Sequence, residues 1–171
     1  MTTIISVGNG GCNVADSISK NTMDFGNAQL IYCDTNAKAL AEHGRSNDAK
    51  LLLSPDITEF PGVFPKDCET LIVIATLGGK SGNLVAPLVA KKAKEMGIKR
   101  IIGAVTLPFV FEGEQHYAQA GEAAKSMAEH CHEMVIHENE NLKKKYEDLN
   151  FFTAFKFADL DMAQSLGEII I

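Results

Sequence analysis

Residues 70–87 read TLIVIATLGGKSGNLVAP, and the fold turns on this stretch. The apolar run at 71–75 suits a strand buried on both faces of a parallel sheet. Gly78, Gly79, Lys80, Ser81, Gly82 and Asn83 follow at once, and residues 84–97 read as a helix. A small-residue turn between a buried strand and a helix aims several backbone N–H groups at one point, at the positive end of a helix dipole. That is an anion site, and phosphate is its usual occupant. It is not a Walker A loop, because GKS at 79–81 would need a glycine at position 74, where Ile74 stands.

A second turn of the same kind lies near the start. Residues 3–7 form a short apolar strand, Gly8, Asn9, Gly10, Gly11, Cys12 and Asn13 make the turn, and 14–20 read as a helix. Backbone cradles fail when a side chain intrudes, so valine at Gly10 or Gly79 is expected to block a ligand and spare the fold. A dinucleotide fingerprint would want a third glycine where Asn13 stands. Residues 30–33 nevertheless form a second strand ending in Asp34, about where that fold places its ribose-binding acid. Further elements are a short helix at 36–43, a strand at 50–53, an irregular proline-bearing stretch at 44–66, a strand at 100–105 and a helix at 114–131. A last strand at 133–137, a polar connection at 138–148 and a long helix at 150–171 follow. Among the apolar positions of that helix are Phe151, Phe152, Phe155, Leu166, Ile169 and Ile170. Strands alternating with helices predict an α/β protein, an open three-layer sandwich around a mostly parallel, Rossmann-like sheet, with ligand loops at the strands' carboxyl ends.

Composition narrows the partners. The 171 residues carry a net charge of −6, which opposes a nucleic-acid or anionic-membrane binder, since those need a basic face. The four cysteines form no CxxC pair and read as reduced thiols of a cytoplasmic protein. No stretch approaches ~18 consecutive apolar residues. His130, Cys131, His132 and His137 lie close in sequence, but no second ligand pair has the spacing of a metal site.

The order of motifs resembles the nucleotide-binding half of the FtsZ family of bacterial tubulin relatives. Residues 8–13 are similar to its GxGGGGxN turn, with Asn9 in place of one glycine. Residues 78–87, GGKSGNLVAP, resemble its GGGTGTGxAP loop, and DTNAKAL at 34–40 resembles NTDxxAL. TLPFVFEG at 106–113 is close to TxPFxFEG, and AFKFAD at 154–159 matches AFxxAD. The resemblance spans essentially the whole chain as one domain, 1–171, ending in the long central helix.

It implies a guanine nucleotide, GTP or GDP, with magnesium accompanying GTP. The nucleotide-binding residues it marks are Gly8, Gly10, Gly11, Cys12 and Asn13 in the first turn, and Gly78, Gly79, Lys80, Ser81, Gly82 and Asn83 in the second. Thr106, Pro108, Glu112 and His116 follow, with Glu112 on the ribose hydroxyls and His116 where the family carries arginine. Asn139, in a segment where Glu138 competes for the same role, adds a base contact. Phe155 stacks on the base. Asp159, one helical turn on and on the same face, reads guanine's N1–H and N2–H2, two donors that adenine does not present together.

Two departures bear on activity. Residues 53–65 lack the family's further glycine-rich loop, the one that senses the γ-phosphate. The acidic catalytic loop NxDxxD and the second domain are also expected to be missing, so any GTP hydrolysis by these residues alone should be very slow. Two other readings stay open: a nucleotide-free module acting on a full-length FtsZ-type filament, or on copies of itself, and a dinucleotide-binding Rossmann enzyme.

Overall fold

A computed structural model describes residues 1–20, 27–146, 149–150 and 153–170. In chain order its elements are β1 (Thr2–Val7), α1 (Gly8–Lys20), β2 (Gln29–Asp34), α2 (Ala37–Ala41), β3 (Ala49–Leu52) and β4 (Thr70–Thr76). Then come α3 (Lys80–Glu95), β5 (Arg100–Leu107), α4 (Glu114–Ala128), β6 (Glu133–Glu138), α5 (Leu142–Lys145) and α6 (Ala154–Ile170). Single 3₁₀ turns at Val110–Glu112 and Asn139–Asn141 precede α4 and α5. Phe151 and Phe152, expected on the last helix, lie outside the described residues.

Six strands form one sheet in the order β3-β2-β1-β4-β5-β6, and every pairing is parallel. The apolar run of β4 lies at its centre, buried from Leu71 to Ala75. Alternation along the strands sorts side chains to two faces. Ile5, Val7, Leu71, Val73, Ala75, Ile101 and Val105 pack on the α3 and α4 side, with Val85, Val89, Ala120 and Met127. Ile4, Ile72, Ile74, Ile102 and Ala104 face the α1 and α6 side, with Val14, Ile18, Met162 and Leu166. The result is the expected three-layer sandwich.

Both glycine-rich turns were expected to be loops leading into helices, and here the structure differs. α1 begins at Gly8 and α3 at Lys80, so most of each turn is already helix. Glycine is a poor helix former, and local propensity alone therefore points to a loop. Close packing decides otherwise. A Cβ on Gly11 would sit 2.7 Å from the Ile74 carbonyl oxygen, and one on Gly82 2.4 Å from that of Thr76. Only glycine lets these helix starts lie against β4. Residues 53–65 hold neither helix nor strand; Leu53, Ile57, Phe60 and Phe64 fold down onto the α3 face of the core.

Candidate functional site

The chain leaves β1 toward β2 on one side and returns to β4 on the other, which makes the crevice between β1 and β4 the topological switch point of the sheet. A cavity of about 380 Å³ opens there. Gly8, Asn9, Gly10, Asp34 and Asn36 line one lip, Thr76–Gly82 the other, and Glu112 and His116 stand beyond.

The floor is backbone. Gly78 holds φ +107°, in the left-handed region, and its N–H is taken by Asn83 Oδ1 at 2.8 Å. Asn83 therefore braces the turn from within. Gly79 is the N-cap of the 16-residue α3 and offers no side-chain cap. The first N–H groups of α3 thus end at the cavity with the positive end of its dipole. Lys80 is exposed on the rim and has no ion-pair partner among the described residues.

A carboxylate shares this space. Asp34 is 2% exposed. Its Oδ1 accepts from the Thr35 and Asn36 N–H groups at 2.7 and 3.2 Å, and from Ser81 Oγ at 3.0 Å. Thr35 Oγ1 lies 2.7 Å from Ser81 Oγ, while Asp34 Oδ2 is buried without a hydrogen-bond partner among the described residues. The Ser81 hydroxyl, expected to face a phosphate, is committed to this cluster.

The two glycines singled out for valine differ. A Cβ on Gly79 meets nothing within 4 Å, but one on Gly10 would lie 2.5 Å from Thr76 Cβ. The expectation that Gly10→Val spares the fold is therefore corrected: Gly10 is a packing position between α1 and β4. Even Gly10→Ala should destabilise by about 1–3 kcal/mol through overpacking, read as a lower urea midpoint at unchanged slope.

The remaining candidates lie around this core. Cys12 is fully buried against Ala15, Tyr32 and Leu40, and burial pushes its thiol up to about 12. Asn13 is half-buried on α1. Thr106 and Asn139 are each 2% exposed, and Pro108 packs beside Gly78. Burial also raises the Glu112 carboxyl, against the pull of the Phe109 N–H and of His116; the Phe109 bond to Oε2 is 2.6 Å. On α6, Phe155 stands edge-on to Phe109 and Phe111, with ring centres 5.7 and 6.1 Å away. One turn later, burial pushes the Asp159 carboxyl up to about 7, and no hydrogen-bond or ion-pair partner meets it among the described residues. Phe155, Asp159 and Asn139 do not line the cavity between the glycine turns. Two of the three histidines near Cys131 have other partners: His132 Nδ1 accepts from the Ile101 N–H at 3.0 Å, and His137 pairs with Asp161 at 2.9 Å. Sequence reasoning missed Asn9 and His43, joined across 2.8 Å at the cavity's edge; the one available signal was Asn9 in a run of glycines.

This arrangement has counterparts in known proteins. The profile of the Tubulin/FtsZ family, GTPase domain, matches residues 65–147. The cell division protein FtsZ of Porphyromonas gingivalis is 28% identical over 98% of this chain and 41% of its own length. The chain is an FtsZ/tubulin-like domain. It spans about half the length of the curated relatives it matches. Among solved structures, the empty FtsZ dimer of M. jannaschii superposes with a TM-score of 0.85 at 24% identity, over 99% of this chain and 54% of that one. CetZ2 of Haloferax volcanii, solved as a GTPγS-bound protofilament, superposes at 0.81 with 18% identity, over 99% and 57%. At these identities the superpositions establish the FtsZ-like fold. No helix of the described residues is long and apolar enough to cross a membrane.

Proposed function

We propose that this FtsZ-like domain binds a guanine nucleotide, GDP or GTP, with its phosphates at the paired glycine-rich helix starts and its base at Phe155 and Asp159. The observation that carries the reading is the glycine-capped N-terminus of α3 opening into a cavity at the switch point of a parallel sheet. The GTPγS named with the CetZ2 protofilament supports it.

Each part has a chemical task. The α1 and α3 N–H groups donate to phosphate oxygens, and Lys80 adds a point charge from the rim. Glu112 takes ribose hydroxyls, with His116 close to the sugar. Asp159 pairs with guanine's two donors, satisfying a carboxylate that has no other partner among the described residues. Its buried Oδ2 and the flanking Ser81 and Thr35 hydroxyls make Asp34 a fitting holder for magnesium, which would offset its charge against the phosphates; hard cations take such oxygen ligands together with phosphate.

Asp159 fixes the direction of one pH effect. Guanine pairs with the ionised carboxylate, so GDP binding releases a proton below about pH 7. Affinity through this contact therefore rises with pH.

Titration of the purified protein with GDP, GTP, ATP and NAD tests the proposal. GDP and GTP are expected to bind at least about tenfold more tightly than ATP or NAD, since mispairing leaves a buried acceptor without a donor. Preferential NAD binding would instead support the Rossmann reading, in which Asp34 holds a ribose. A second reading, an interaction module for a full-length FtsZ-type protein, draws on the missing glycine-rich loop at 53–65; it predicts no nucleotide binding and capture of FtsZ filaments.

A further inference from the structure

Asn9 lies in the first turn of α1, exposed at the cavity mouth. Its Oδ1 is 2.8 Å from His43 Nε2, and the other ring nitrogen, Nδ1, is 2.7 Å from Asp16 Oδ2. Asp16 sits two turns further along the same face of α1, so one imidazole spans both side chains. His43 is 4% exposed, and its ring is stacked parallel to Tyr32. Asp16 Oδ1 also accepts from the Tyr32 hydroxyl at 3.1 Å and the Gly44 N–H at 2.9 Å. Burial alone would raise the Asp16 carboxyl, but hydrogen bonds from His43, Gly44 and Tyr32 hold it below its ordinary value.

An ionised carboxylate can only accept, so the proton on Nδ1 is fixed. The state of Nε2 then decides which way the Asn9 amide faces. We propose that Asn9 is a phosphate-binding residue whose NH2 group is turned into the cavity by a protonated His43 that Asp16 holds in place. The nucleotide reading above supplies only the identity of the ligand.

With a proton on Nε2, the ring donates to Asn9 Oδ1, and the amide NH2 is left for a phosphate oxygen. With Nε2 bare, only the NH2 group can satisfy it. The amide turns over, and its carbonyl then meets the phosphate with a lone pair. The imidazolium also places a positive charge behind the first glycine turn. Both effects favour a polyphosphate while His43 is protonated and fade as pH rises. The titratable groups meeting the ring are Asp16 on α1 and Tyr32 on β2; Asp48, in the loop after α2, acts on Tyr32, and Glu42 and Arg45 are exposed beside His43 in the chain. Burial pushes the Tyr32 hydroxyl up, so it stays neutral.

Two measurements test this. In ¹⁵N-labelled protein without ligand, the Asn9 side-chain amide signal is expected to follow the His43 ring signal, with one shared midpoint. In calorimetry with GDP, wild type should outbind Asn9→Gly by about tenfold at acid pH, the worth of one hydrogen bond to a charged group, and lose that advantage at alkaline pH. Comparing the two proteins cancels the titration of the GDP phosphate and of Asp159, which both share. His43→Gln should bind with a wild-type to variant ratio that falls in the same way. A ratio that stays constant with pH, or an Asn9 amide that ignores His43, overturns the inference. Absence of GDP binding at every pH, with the amide still following the ring, would remove the nucleotide reading and leave the amide switch standing.

Discussion

Gly79→Val is expected to abolish GDP binding, a loss of at least about a hundredfold or ~3 kcal/mol, while shifting the thermal midpoint by no more than about 2 °C. The two halves of that expectation have separate grounds. Gly79 holds φ −86° and ψ 162°, which valine adopts without strain, and its Cβ would meet nothing within 4 Å. The branched side chain would therefore occupy the space in front of the α3 N–H groups that a phosphate needs. Isothermal calorimetry with GDP, alongside a melting curve, checks both. Undiminished binding would place the phosphates elsewhere. The contrast with Gly10 is informative, because substitution there acts on α1 against Thr76 and is read in stability.

Asp159→Ala is expected to weaken GDP binding by about 1–3 kcal/mol, leaving two guanine donors unpaired, and to leave ATP as weak as before. It should also stabilise the ligand-free protein at pH 8. The sign follows from the raised folded value. Between the ordinary 3.8 and about 7 the folded chain holds a proton that the unfolded chain has lost, so Asp159 costs stability as pH rises through that window. At about 1.4 kcal/mol per tenfold the ceiling is near 4 kcal/mol, and partial exposure screens it to roughly 1–2 kcal/mol. Urea titrations at pH 4 and pH 8 with and without GDP separate the two effects. Equal binding of ADP and GDP by the wild-type protein would end the assignment of Asp159 to guanine.

The sheet was legible because its signals are local. An uninterrupted apolar run such as 71–75 admits few readings when a small-residue turn and a helix follow, and the same grammar recurs at 3–20. The helix starts were read late, since glycine's weak propensity hides a helix imposed by contact with β4. Asp34 was visible as an acid at a strand end, but its place among Thr35, Asn36 and Ser81 depends on β2 and α3 meeting across the crevice. Of the Asp16–His43–Asn9 chain only Asn9 left a local trace, as a break in a run of glycines: the members are spread over two turns of α1 and the segment after α2, and only the fold brings them within reach. Phe155 and Asp159 were legible as an i, i+4 pair on one helix, whereas the aromatic surround of Phe109 and Phe111 comes from a distant loop.

Because β1 lies between β2 and β4, with Thr2 paired to Thr70, the sheet cannot close in the order in which a ribosome delivers it. A nascent chain that has released β1, α1 and β2 has one lip of the cavity and a bare strand edge beside it. That edge stays open to mispairing until β4 emerges and inserts against it. The opposite lip arrives on that central strand, and the residues proposed for ribose and base, Glu112, Phe155 and Asp159, follow it in the chain, so ligand competence waits until α6 has been made. A nucleotide present during synthesis would therefore act late, capturing chains that have already finished, and would offer no help to those still waiting for their central strand.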